Sequence, residues 1–212
     1  MITLLMQGAI LTIGVAITSM MIGIAGGIVL GIFQCKRLQT PVMGKMFTSF
    51  VWATRGTPLF VQVLLAYYGL PQVMGISLSP FAAGVLALGL NSIAYVSEII
   101  RGGMDGISEA QWEAGQVLGL KKSQTVLGII LPQVLRSTIP ALTNELTSLI
   151  KETSILMVIG VSELTKASKD IVAHHLNPLT IYLVAAGIYL IMTSSISFLM
   201  QLFQKKVAYD FR

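Results

Sequence analysis

Residues Met1 to Arg37 read MITLLMQGAILTIGVAITSMMIGIAGGIVLGIFQCKR, a stretch with no charge until the Lys36-Arg37 pair. Crossing the hydrocarbon of a bilayer takes about 20 apolar residues in a helix, so this stretch is long enough to span one. A secretory leader begins with basic residues ahead of a short apolar core; this stretch has neither feature and reads as a retained first span. Within it Gly23, Gly27 and Gly31 recur at every fourth position, which lines up one helix face where another backbone approaches closely.

The rest of the chain repeats the pattern. Of its 212 residues 54% are hydrophobic and 11% charged, against roughly 25% charged in ordinary soluble domains; mean hydropathy is +0.80. Charge-poor stretches run from about Ala9 to Phe33, Met46 to Tyr68, Pro80 to Ile100, Thr138 to Ile159 and Pro178 to Phe203. The expectation is an all-α bundle of five transmembrane helices forming a single domain over residues 1–212. Formal charge is +5, but the basic residues sit in short groups between apolar stretches, which argues against a nucleic-acid partner. Lys36, Arg37 and Lys45, then Arg101, Lys121, Lys122 and Arg136, then Lys205, Lys206 and Arg212 mark cytoplasmic segments, while Gly69 to Ser79 carries no cation. The positive-inside rule places the N-terminus outside and the C-terminus inside. Cys35 stands alone, excluding an internal disulfide, and His174-His175 have no third ligand nearby, so no metal site is expected.

The connection after the third stretch contains QWEAGQVLGLKKSQTVLGIILP at Gln111 to Pro132. From Ser108 it predicts a short helix, with Ser108 as N-cap, Gln111 at the capping-box position and Gly119 as terminator. Ala110, Ala114 and Val117/Leu118 share one stripe, while bulky Trp112 lies on another face and braces the helix against the bundle. No G-x-x-x-x-G-K-[ST] phosphate loop occurs, so the chain itself is not expected to hydrolyse nucleotide.

Glu113-Ala114-Gly115, then Gly119, then Ile129-x-Leu131-Pro132 resemble the EAA motif of ABC importer permeases, with Gly115 where alanine is typical. Arg55-Gly56-Thr57-Pro58, Glu98 to Gly103, and Asn144-Glu145 through Lys151 to Ser154 resemble the polar amino-acid branch of that family. The resemblance covers essentially the whole chain. It implies the type I importer fold, with Ala110, Glu113, Ala114, Gly115, Leu118 and Gly119 forming a coupling helix between spans three and four. It also implies two cytoplasmic ATPase subunits that bind ATP and Mg, a second permease subunit, an extracytoplasmic amino-acid-binding protein, and a place in the bacterial inner membrane with its lipid. This chain itself would carry no cofactor.

Ionisable groups inside a span mark a pathway by default. At about 1.5 Å per residue from Thr138, Glu145 lies about 11 Å and Glu152 about 21 Å along a continuous fourth helix. They share a face, with Lys151 beside Glu152. Glu145, Lys151 and Glu152, with Asn91 from the third span, are the candidate substrate contacts; the competing reading is internal ion pairing. The paired carboxylates tilt the substrate toward basic amino acids such as arginine, lysine or histidine. Arg55 is read as an inner-leaflet anchor or gate, with Pro58 bending the helix beyond it. Glu98 and Arg101, three apart, predict a local ion pair. A secondary carrier or channel independent of ATP is the rival reading, and it leaves the loop motif unexplained.

Overall fold

The computed structural model describes residues 1–175 and 177–209; Arg212, one of the closing cations, lies outside them. Among the described residues the chain is all helical. The first helix, α1 (Ile2–Gln34), packs along its length on α5 (Pro80–Asp105). The glycine face explains this pairing. A Cβ on Gly27 would stand 2.6 Å from Val96 Cβ, and one on Gly31 would stand 2.7 Å from Ile100 Cβ and from the Ser97 carbonyl oxygen; Gly23 abuts Ser92. Helices in contact this close hold each other by dispersion over long stretches, the form of adhesion that survives in lipid. Val15, Leu88, Val96 and Ile100, all fully buried, form the centre of the core.

Helix α2 (Pro41–Gly56) starts from a Thr40 cap whose hydroxyl accepts the Met43 amide, and α5 starts from the equivalent Ser79 cap on Ala82. Both have proline in the first turn, where its missing N–H costs nothing. The second expected span, about Met46 to Tyr68, is not one helix. Thr57 precedes Pro58 and is extended, at φ −110° and ψ 143°, because a proline ring disfavours the helical region for its predecessor. The chain resumes as α3 (Leu59–Leu64), a wide π turn (Leu65–Gly69) and α4 (Leu70–Met74).

A second π turn, Val126–Ile130, joins α7 (Lys122–Thr125) to α8 (Leu131–Ser137). Each π turn ends two residues before a proline, Pro71 or Pro132. A widened turn relieves the clash between a proline ring and the carbonyl four residues back. Helix α9 (Ile139–Glu152) runs into a 3-10 segment (Thr153–Ile159) that Gly160 closes at φ +89°. Then come α10 (Leu164–His175) and α11 (Pro178–Tyr209), the latter packed on α9 and α10.

The five-span expectation is met in part. Among the described residues three helices are long and apolar enough to cross a membrane, Ile2–Gln34, Pro80–Asp105 and Pro178–Gln204. A fourth arises if Lys122–Ser137 and Ile139–Ile159, bent by 55°, count as one span. The continuous fourth helix assumed from sequence ends at Glu152, where the turn tightens. Leu183, Leu190, Ile191, Phe198 and Leu199 on α11 are each more than 60% exposed, an apolar face on the scale that marks contact with lipid or another chain.

Candidate functional site

The loop predicted to carry the family motif forms α6 (Glu109–Val117). Its C-terminus is a Schellman closure: Gly119 takes φ +70°, its N–H donates to the Gln116 carbonyl (2.9 Å), and the Leu120 N–H donates to the Gly115 carbonyl (3.0 Å). The N-terminus departs from expectation. Ser108 occupies the N-cap position but its side chain caps nothing, so the capping box with Gln111 is not made. The first turn is held instead by Arg37, whose Nη2 sits 2.6 Å from Glu109 Oε1 and whose guanidinium lies 5.5 Å over the Trp112 ring. Trp112 is buried, as the bracing role requires. The Lys36 N–H also donates to Asp105 at 3.3 Å, so the inner end of α1 grips both sides of the turn leading into α6.

The opposite side of α6 faces outward. Ala110, Glu113, Ala114, Leu118 and Gly119 are exposed, and Val117 and Leu118 reach 86% and 71%. Gly115 is different from the other motif residues. It is buried, and a Cβ there would stand 2.6 Å from Thr125 Cγ2 and Oγ1. Glycine at this position is a packing requirement between α6 and α7. Gly115→Ala is therefore expected to lower the melting temperature of the purified chain, with Thr125→Ala restoring most of the loss; an unchanged melting temperature in the single variant would contradict this packing.

The membrane-embedded polar groups divide into two neighbourhoods. In one, Glu145 and Glu152 lie seven residues apart on α9, with Ser92 of the contacting helix α5 next to Glu145. Asn91, one residue from Ser92, is buried at 6% exposure and donates through Nδ2 to Gln62 Oε1 at 3.2 Å. In the other, exposed Lys151 lines a cavity of about 540 Å³ with Ser154, Thr165, Tyr189 and Thr193. Lys151 thus shares a cavity with residues of α11, while adjacent in sequence to Glu152. Among the described residues neither Glu145 nor Glu152 has a Lys, Arg or His nitrogen within 4.0 Å.

Glu98 and Arg101 form the expected local pair, at 2.9 Å, and Arg101 extends it to Asp105 at 3.1 Å. Arg55 does more than reach for headgroups. Its Nη1 lies 3.6 Å from Glu98, its guanidinium 5.1 Å over the Tyr95 ring, and it lines a cavity of about 440 Å³ with Thr48, Trp52, Tyr95 and Glu98. Pro58 is the break beyond it.

Two groups escaped the sequence reading. Glu163 is fully buried at the start of α10, accepting the Thr165 and Lys166 amides (2.9 and 2.7 Å) and the Tyr189 hydroxyl (2.8 Å). Burial pushes its carboxyl above the usual range, while the two backbone donors of the helix N-terminus pull it back. The signal was an acid placed two and three residues ahead of the amides that a helix start leaves free. Gln62 is the second, a lone amide in an apolar stretch four residues after a proline.

Residues 23–209 match the model of the binding-protein-dependent transport system inner membrane component family. The glutamine transport system permease protein of Escherichia coli (strain K12) is 35% identical over 209 residues, covering 97% of this chain and 94% of its own. The arginine transport system permease protein of Bacillus subtilis (strain 168) is 35% identical over 210 residues, covering 96% and 92%. Among solved structures, an amino acid ABC transporter with histidines superposes with a TM-score of 0.87 at 34% identity, covering 96% of this chain and 94% of that one. An inward-facing methionine ABC transporter shares the fold, with a TM-score of 0.83 at 18% identity over 98% and 97% of the two chains.

Proposed function

This chain belongs to the binding-protein-dependent transport system inner membrane component family, and on that premise we propose that it is the permease subunit through which an ATP-driven importer admits polar amino acids. The observation that carries the reading is α6, held rigidly from within by Arg37 and Trp112 and presenting Val117 and Leu118 outward at its tip. A helix braced on one side and bare on the other suits a cleft on a cytoplasmic ATPase. Two such ATPases, binding ATP and Mg, a second permease subunit and an extracytoplasmic binding protein complete the assembly. In the bilayer the broken segment from Pro41 to Met74 and the bent pair join the three long helices as spans, giving five, with the N-terminus outside and the C-terminus inside.

Glu145, Glu152 and Asn91 are the substrate-facing groups in this reading, with Lys151 on the neighbouring cavity. Two carboxylates without ion-pair partners among the described residues suit a substrate that brings its own cation, an α-ammonium together with a guanidinium, ammonium or imidazolium. The arginine relative fits this class, and the glutamine relative fits the wider class of polar amino acids. When the chain and its partners are reconstituted in liposomes, uptake of labelled arginine, glutamine or histidine is expected to require ATP. Glu152→Gln is expected to weaken apparent affinity for arginine at least about fivefold, the scale of a lost charge-assisted hydrogen bond. Uptake without nucleotide would favour a secondary carrier, and an unchanged affinity and preference in Glu152→Gln would remove that residue from the pathway.

A further inference from the structure

The break in the second apolar segment leaves backbone carbonyls without donors. In an unbroken helix the Thr54 carbonyl would accept from the N–H of residue 58, which is proline and has none. The Gln62 side chain fills the vacancy: its Nε2 lies 2.7 Å from the Thr54 carbonyl oxygen, 3.2 Å from the Thr57 carbonyl oxygen and 2.9 Å from Thr57 Oγ1. The Thr57 hydroxyl spends its proton on the Ala53 carbonyl at 2.9 Å, so toward Gln62 it accepts.

These three partners decide which way the amide faces. Its nitrogen and oxygen differ little in shape, and the orientation of such a group follows from its neighbours. Two of the neighbours are carbonyl oxygens, which accept only. Turned the other way, Gln62 would set Oε1 against both carbonyl oxygens, replacing two attractive contacts by acceptor–acceptor repulsion in an apolar segment. Oε1 therefore points to Asn91, and whatever meets it there must donate. Asn91 does so with Nδ2, at 3.2 Å. One Nδ2 N–H is spent on Gln62, and this bond fixes which way the Asn91 amide faces; among the described residues no hydrogen bond reaches its Oδ1, which is left to accept.

We propose that Gln62 is a positioning residue that fixes the orientation of Asn91, so that the Asn91 carbonyl oxygen is available to accept from the substrate. The proposal deepens the reading of Asn91 as a substrate contact and rests on it. The substrate group that Oδ1 meets is then an N–H donor, an ammonium, guanidinium or primary amide. Pro58 enters this arrangement indirectly: by deleting one backbone N–H it creates the acceptor that fixes Gln62, and through Gln62 the polarity of a site on a different helix.

The test is equilibrium binding of labelled L-arginine, L-glutamine and L-histidine to the detergent-purified permease in complex with its ATPase, using the tightest of the three as probe. Asn91→Leu is expected to weaken binding about tenfold, as loss of a hydrogen bond to a charged group does. Gln62→Leu is expected to weaken it by about twofold or more, since Asn91 then holds the accepting orientation only part of the time. The informative variant is Gln62→Leu with Asn91→Asp. Aspartate accepts whichever way it turns and needs no orienting partner, so the double variant is expected to bind more tightly than Gln62→Leu alone. A role for Gln62 in repairing the helix alone would not be rescued by a change at residue 91.

Should Gln62→Leu fail to fold, Asn91→Asp with Gln62 intact decides the matter. It is expected to bind at least several times more tightly than Asn91→Leu; binding weaker than Asn91→Leu would mean the α-carboxylate meets residue 91 and would overturn the proposal. An Asn91→Leu variant that binds like wild type, or a wild type that binds none of the probes, removes the substrate contact itself. Weakened Asn91→Leu without rescue in the double variant leaves the contact standing and removes Gln62 from its control.

Discussion

Gly27→Leu is expected to abolish recovery of folded protein, leaving less than about a tenth of the wild-type monodisperse peak on size exclusion of the solubilised chain. A Cβ at this position meets Val96 Cβ and Cγ1 at 2.6 Å and the Ser97 amide nitrogen at 3.0 Å, on the partner helix's own backbone. Side chains at the far end of a rotamer give way cheaply; a branch point and a main-chain atom do not. Overpacking one methylene into a tight core costs roughly 1–3 kcal/mol, and leucine adds four heavy atoms at a contact that organises the whole bundle. Gly14→Leu in the same helix is the control. Nothing stands within 4 Å of a Cβ at that glycine, so that variant is expected to purify normally. Equal recovery of the two variants would contradict the close pairing of α1 with α5.

The second large effect is expected in the loop. Joining Glu113→Lys with Gly119→Trp should reduce ATP-driven uptake at least about a hundredfold while the chain still inserts and purifies. Glu113 and Gly119 are both exposed, and a Cβ on Gly119 meets nothing within 4 Å, so the chain itself has room for the new side chains. A left-handed backbone at φ +70° penalises tryptophan by about 1–2 kcal/mol, a local cost at a helix end. The larger penalty falls on whatever docks against α6, which meets a reversed charge and a bulky ring where the wild type offers a carboxylate and bare backbone. Wild-type uptake in this variant would mean that the exposed face of α6 has no part in coupling.

Much of the architecture was legible because apolar length and glycine spacing are local properties. Gly23, Gly27 and Gly31 announced the α1 face that α5 covers, and Gly119 announced the end of α6. What sequence concealed depended on partners far along the chain. Ser108 looked like a cap, yet the first turn of α6 is held by Arg37, 72 residues away from Glu109. Pro58 was readable as a bend, but the break became a feature of the polar interior only through Gln62 and through Asn91, 29 residues beyond it. The substrate candidates show the same limit. Spacing put Glu145 and Glu152 on one face and Lys151 beside them, whereas the cavity that Lys151 lines is built largely from α11. Gly115 stood out in the sequence through the resemblance to a motif, and its close contact with Thr125 became visible only in the fold.

The most direct measurement of the central claim is co-purification of the solubilised chain with cytoplasmic proteins from its own cells, native loop against the Glu113→Lys, Gly119→Trp loop. Recovery of an ATPase with the native loop, and its loss with the altered one while the permease yield holds, is the expected result. A stable native complex containing no ATPase, or equal recovery of the ATPase with both loops, would contradict the assignment of α6 as the docking element.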